Sequence, residues 1–466
     1  MINISNPSAA RDPAALVVGV IAAQVIGGLF AQMSPFVIAG LMDGLSLSER
    51  DAGIVTSVEL LALAFTAISI APVLPRFSYR RVCIAAVGLT LLAQGASIIA
   101  GGWTALILLR SMAGVGEGAL YAMSLSIVAS HCRNPEKVFG FFQLVWALGS
   151  VPLFSIGGEL TAAFAHRGVF ALLGAVTLAL APLLLLVPDT RPFKEEEAAS
   201  DAETISPLVG TLLLAAILLF VAMSAALYAF SAPLGERAGM ETTAVGYTLT
   251  IASFVGLIGA VAATALNVRL GRAMPISAFC LGYALIALVL CLLQNSTAYV
   301  IALVGSVILY YFSMPYLFGL AAAIDRSGRW AAAAGSAYLL GFAAGPVLGG
   351  FVIAASGYTS LGAVCVAMTA VAWILAMIVI SRAALRPGRQ IFFHRKGEGN
   401  GRAPGVVVGH PEFASMGLHD RTTDREPHPH AILFGREEGL EDTLDVAKPA
   451  PGVSNLNSHS SGPIAT

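Results

Sequence analysis

Glu59, Arg110 and Glu117 each fall well inside a long apolar run of the chain. Such a charge needs a reason, because withdrawing it from water costs roughly 2.5–3.5 kcal/mol even on lenient insertion scales. Arg110 and Glu117 stand close to two helical turns apart. On one helix they therefore share a face, about 10 Å apart along the axis. A direct bond between them is too long a reach, but long side chains or a third group can close part of the gap. Two chemistries fit. One is a carboxylate that takes up and releases a proton beside a cation, Glu117 or Glu59 being the carrier; alternatively, Arg110 grips an anionic substrate. The plain alternative is an ion pair that fixes helix register. Spacing alone gives Glu59 no partner, and Glu159 lies near the end of its run, where an interfacial side chain reaches water.

These residues sit in an unusual background. Apolar types make up 57% of the 466 residues and charged types 11%, against roughly 25% charged in a soluble domain. Mean hydropathy is +0.81. Surface of that kind aggregates in water, whereas lipid solvates it. The net charge of −1 gives no reason to expect a nucleic-acid partner. Cys83, Cys132, Cys280, Cys291 and Cys365 are scattered without metal or disulfide spacing, so they read as small core residues, and no metal or other cofactor is expected.

A membrane span needs about 20 mostly apolar residues. That ruler finds about twelve: 15–41, 52–74, 82–101, 104–130, 139–161, 168–188, 207–232, 244–266, 274–294, 297–323, 332–356 and 359–381. The runs are too long and too evenly apolar for barrel strands, so the expected class is an all-α membrane protein. Alternate loops hold Arg76, Arg80, Arg81, Arg133, Lys137, Arg191, Lys194, Arg269, Arg272, Arg326 and Arg329, whereas the other set holds only Arg50, Arg167 and Arg237. The bias predicts an inner (plasma) membrane protein with both termini in the cytoplasm.

A shift of 193 positions lays Arg76 on Arg269, Arg133 on Arg326 and Gly157 on Gly350, at matching points in the span count. The expected organisation is a cytoplasmic N-terminus (1–14), a six-helix bundle (15–188), an acidic linker (189–206), a second six-helix bundle (207–381) and a tail (382–466). The tail is rich in Gly, Pro, Ser and charge and is expected to be disordered. Its histidines offer a metal-binding tail as an alternative, but spacing such as HPH at 428–430 is a weak signal, and solvated linker histidines are the favoured reading. Parallel halves place a substrate site between them near the midplane. Uncharged polar residues inside the runs are candidates for such a cavity: Gln24 and Gln143, with Trp146 one turn beyond, and Tyr121 and Tyr338; Gln32, Tyr228, Tyr310 and Tyr311 belong to the same class. Helix–helix hydrogen bonds are the alternative for each. Glycines crowd at 114–118 (GVGEG) and 341–350 (GFAAGPVLGG), which predicts close packing, with a bend at Pro346.

These features resemble the major facilitator superfamily of secondary transporters over about 15–381. The family loop G-x-L-x-D-R-x-G-R-R is matched here by APVLPRFSYRR, which keeps Arg76 and Arg80, with Pro75 at the acid. The second copy, TALNVRLGR, keeps Arg269, Gly271 and Arg272. The span-four motif R-x-x-x-G-x-G is matched by Arg110, Gly114 and Gly116; the resemblance implies proton transfer at Arg110. The exporter motif G-x-x-x-G-P-x-x-G-G lies in span eleven at Gly341, Gly345, Pro346, Gly349 and Gly350, whereas the family carries it in span five. The resemblance thus implies alternating access with a proton as coupling ion. Arg76, Arg80, Arg269, Arg272, Gly345 and Pro346 would act in gating. Export of a small organic solute is favoured over uptake of an organic anion or sugar. A non-transporting receptor that signals through its tail is the rival of another class. An enzyme is not expected: no nucleophile–base pair stands out, and GVGEG lacks the strand and lysine of a phosphate loop.

Overall fold

The structure, a computed structural model, describes residues 13–70, 77–132, 135–190, 207–266, 269, 271–324 and 329–384. All of them belong to one compact unit, Met1–His419. Arg76, most of the expected linker and the tail from 385 onward lie outside the described residues.

Every long element among these residues is a helix: α1 (Ala14–Leu45), α2 (Glu49–Ser69), α3 (Tyr79–Ile99), α4 (Trp103–His131), α5 (Pro135–Leu180), α6 (Pro207–Ala229), the short α7 (Ser231–Arg237), α8 (Thr242–Leu266), α9 (Ala273–Leu292), α10 (Ser296–Ile324) and α11 (Arg329–Ala384). A 3-10 turn, Ala181–Leu186, extends the end of α5. Helices dominate because lipid offers backbone groups no hydrogen-bond partners, and a helix satisfies its own.

Ten of these helices are long and apolar enough to cross a bilayer, yet α5 and α11 are too long to be single spans. Each reverses at one residue with non-helical backbone, Ala165 (φ 49°) and Gly357 (φ 78°). The reversal in α5 is visible in packing. Gly157 lies against Leu172, and a straight helix would hold residues that far apart by about 22 Å. In α11, Trp330 packs at Gly210 near the start of α6 and Tyr358 meets Arg237 past its end, then Trp373 donates back to Ser277 near the start of α9. The two reversals turn ten helices into twelve membrane-crossing limbs, in agreement with the span count from hydropathy.

The limbs form two six-limb halves whose boundaries repeat. Ala14, Glu49, Trp103 and His131 fall 193 positions before Pro207, Thr242, Ser296 and Ile324. The reversals at Ala165 and Gly357 are offset by 192. The repeat therefore loses one position within the fifth limb, and the partner of Gly350 is Gly158 rather than the expected Gly157. Packing bears this out, since Gly350 abuts Glu49 and Arg50 of α2 while Gly158 abuts Thr242 and Gly246 of α8; Gly157 instead meets Met33 of α1.

These contacts belong to a seam between the halves. Gly53 faces Pro346 and Gly350, and its mate Gly246 faces Phe154 and Gly158; neither glycine leaves room for a Cβ. Ser57 Oγ accepts from the backbone N–H of Val347 at 2.8 Å, and at the equivalent place Thr250 and Ser155 hydroxyls meet at 3.5 Å. Pro346 helps explain the first bond, because a proline disturbs the helix ladder around it and the next N–H is turned sideways onto α2. Tyr247 donates to Glu159 across the same seam at 3.0 Å. All these contacts lie toward the end where α1 stops and α2 starts.

At the opposite end, residues 187–190 clasp the first half. Tyr79 N donates to Thr190 O, Arg80 Nε to Val187 O, and His131 shares a hydrogen bond with Thr190. Ser78 bonds the Asp189 carboxylate; that bond, together with Arg80 and Arg81, holds Asp189 below the usual carboxylate range. Partial burial lowers the His131 imidazole.

Candidate functional site

Three helices deliver the charged cluster. In α4, Gly114 and Gly118 pack on the backbone of α2 at Glu59 and Leu63, and Gly116 packs on α3 at Ala86 and Thr90. Small residues let the three backbones approach closely. Arg110 and Glu117 are thereby sunk between α2 and α3, and Glu59, Arg110 and Glu117 are all buried.

Arg110 Nη1 bonds both oxygens of Glu59, at 3.2 and 3.3 Å, and Gln94 Oε1 at 3.1 Å. Its Nη2 donates to Ala93 O at 3.0 Å and Ser97 Oγ at 2.6 Å. The guanidinium also lies 4.5 Å from the ring centre of Phe170 and 6.0 Å from that of Phe30. Gln94 then turns its amide Nε2 to Glu117 Oε1 at 3.3 Å. The third group between Arg110 and Glu117 is thus Gln94. Glu117 Oε2 and Thr90 Oγ1 are buried and have no hydrogen-bond partner among the described residues.

The cluster does not line the central cavity. That cavity, of about 210 Å³, lies between the halves. Gln24, Tyr121, Trp146 and Tyr338 all line it. Gln143 lies in α5, and its side chain is outside the described residues. The cluster stands behind the wall: Tyr121 is one turn beyond Glu117 on α4, and Leu60, the neighbour of Glu59, also faces the cavity. On the first half's side Gln24 accepts from Ser124, and on the second Tyr310 donates to Tyr338 at 2.9 Å. Tyr228 reaches across the halves to donate to Gln32 O at 2.6 Å.

Sequence reading missed Gln94 and Ser97 in the cluster, and Tyr283, Phe318 and Phe342 in the cavity wall. A buried amide in an apolar run was signal enough for Gln94, which belongs to the class of Gln24. Phenylalanines carry no such signal, since lipid-facing and cavity-facing rings look alike in one dimension. The expected gating residues separate. Arg80 is bound within the clasp, Arg269 is exposed, and Arg272 stands half-buried at the N-cap position of α9, its side chain making no capping bond. Gly345 packs on Ala222, Ala225 and Ala226 of α6, and Pro346 stands at the seam.

The model of the Major Facilitator Superfamily matches residues 20–324. The chain belongs to the major facilitator superfamily. Solved transporters share the fold of this family member. A bacterial homolog of the human lysosomal transporter Spinster, captured inward-facing and unoccupied, superposes with TM-score 0.62 at 16% identity, covering 80% of this chain and 98% of that one. The nucleoside transporter NupG gives 0.61 at 11%, covering 79% and 98%. A D-xylose-proton symporter gives 0.58 at 16%, covering 77% and 97%. No curated protein matches the chain by sequence. The chain is a multi-pass membrane protein of a transporter family.

Proposed function

We propose that the protein is a proton-coupled secondary transporter of a small organic solute, with Glu117 as the proton carrier and export as the direction. One observation carries this reading: two carboxylates and one guanidinium share a space closed to solvent, one helical turn behind the cavity wall. With both acids ionised the cluster would bear a net negative charge, and each buried ion costs several kcal/mol after relaxation. A single proton balances it. Glu59 takes both of its bonds from Arg110, so it serves as the fixed counter-ion. Glu117 has the open oxygen and the looser hold, a single 3.3 Å bond from Gln94. Movement of α4 against α2 and α3 would then expose or bury that acid together with Tyr121. The proton symporter among the structural neighbours supports coupling by analogy. The seam glycines and Pro346, within the exporter-type motif, support rocking of the halves and outward transport. The arginine-rich loops support an inner-membrane location with both termini in the cytoplasm, and the repeated boundaries support the two-bundle organisation.

Reconstitution tests this. An imposed pH gradient should drive solute flux through the wild-type protein, and Glu117→Gln should leave only solute equilibration down its own gradient. Gradient-driven flux persisting in Glu117→Gln would overturn the assignment of the carrier. The receptor reading predicts no flux at all, and loss of phenotype when residues 385–466 are removed.

A further inference from the structure

We infer that the central cavity selects an uncharged, ring-bearing solute that brings its own hydrogen-bond donors. The inference rests on the transport reading only in taking the cavity as the solute's path. Among the described residues, none that lines the cavity carries a charge at neutral pH. The nearest cation is spent: Arg110 is committed to Glu59, Gln94, Ser97 and a carbonyl and is covered by Phe170. An anion entering the cavity would therefore meet no cation.

A cationic solute fares little better. Aromatic faces do line the wall, Trp146, Tyr311 and Phe342 among them. A cation–π contact is worth about 0.5–2 kcal/mol, whereas an unpaired buried ion costs several kcal/mol. A flat neutral ring gains from the same faces without that cost.

Six of the ten hydroxyls that line the cavity spend their proton within the protein. Tyr228 donates to Gln32 O and Tyr310 to Tyr338, while Ser150, Ser224, Ser253 and Ser306 donate to carbonyls of their own helices. A hydroxyl has one proton and two lone pairs, so these six groups present acceptors to the cavity. A hydroxyl or N–H on the solute would match them.

Matched probes test the inference on the detergent-solubilised full-length protein, with no gradient present. Tryptophol, indole-3-acetate and tryptamine share one ring system and are neutral, anionic and cationic at pH 7. Phenethyl alcohol, phenylacetate and phenethylamine form a second set. The expected result is that the alcohol of at least one set binds at least tenfold tighter than both charged partners, and that Ser253→Ala or Tyr338→Phe weakens it severalfold. Equal or tighter binding of a carboxylate or an amine overturns the inference, as does failure of all six to bind at millimolar concentration. Binding at equilibrium is read separately from flux, so loss of gradient-driven flux in Glu117→Gln bears on coupling and leaves this selectivity to be judged on its own.

Discussion

At the repeat offset the first half places Glu59, Gln94, Ser97, Arg110 and Glu117 where the second half places Ala252, Ala287, Leu290, Leu303 and Tyr310. The backbones of the two halves follow one plan, with matching helix ends, matching seam contacts and a reversal in each fifth limb. Their interiors differ. Arg110 is held by a network of buried polar partners, whereas Leu303 and Ala287 sit in an apolar core. The fold thus tolerates either filling. The polar one requires an explanation beyond stability, because a buried ion pair stabilises no better than an apolar replacement of the same shape. On the proposed function, that asymmetry would confine proton handling to the first half, while the second supplies most of the aromatic side chains of the cavity.

Glu117→Gln should have the largest functional effect of any single change, abolishing gradient-driven flux. At its mate, Tyr310→Phe should leave coupling in place and alter apparent solute affinity. Equal loss of coupling from both would break the comparison.

Arg110→Leu copies the residue of the second half. It strands Glu59 and should cost about 3–5 kcal/mol of stability, as for removal of one partner of a buried pair. Adding Glu59→Ala should recover much of that loss in thermal unfolding but none of the coupling. A double variant as unstable as the single one would mean that packing rather than charge sets the cost.

Gly53→Ala and Gly246→Ala should act alike, since each puts a Cβ into the seam. Each should disfavour the closed seam by about 1–3 kcal/mol, the usual scale for overpacking. Distances between spin labels across the two ends would report the shift. Unequal responses would show that the seam is less symmetric than its contacts.

The reversals should differ in sign. Gly357 adopts φ 78°, ψ 175° in open space, a region nearly reserved for glycine, so Gly357→Ala should cost about 1–3 kcal/mol. Ala165 already bears a positive φ, and Ala165→Gly should be neutral or slightly stabilising.

The smallest effect belongs to the clasp. Asp189 is held below its ordinary range, so its contribution is complete above about pH 4, the unfolded carboxylate value, and is lost as pH falls through the lower folded value. His131 is lowered as well, so protonation near and below about pH 6.5 opposes the clasp. Both act in one direction. The protection factor of the Tyr79 amide, which donates to Thr190, should fall on acidification once intrinsic exchange rates are divided out, and Asp189→Asn should remove the more acidic of the two steps.

Much of this protein is legible in its amino-acid sequence. Apolar length fixes the limbs, because a bilayer has one thickness and demands internally bonded backbone. A duplicated pattern of loop arginines reveals the halves. Buried charge marks Glu59, Arg110 and Glu117, because a charge in an apolar run is costly wherever the chain goes next. Partnership was decided only in three dimensions. Gln94 joins Arg110 to Glu117 from another helix, and Glu59 finds Arg110 from a third, contacts that depend on how the glycines of α4 let three backbones close together. Which residues face the cavity was likewise left to tertiary structure. Side chains of one type occur on every face of an apolar helix, and only the neighbours say which face meets lipid, which meets protein and which meets the solute.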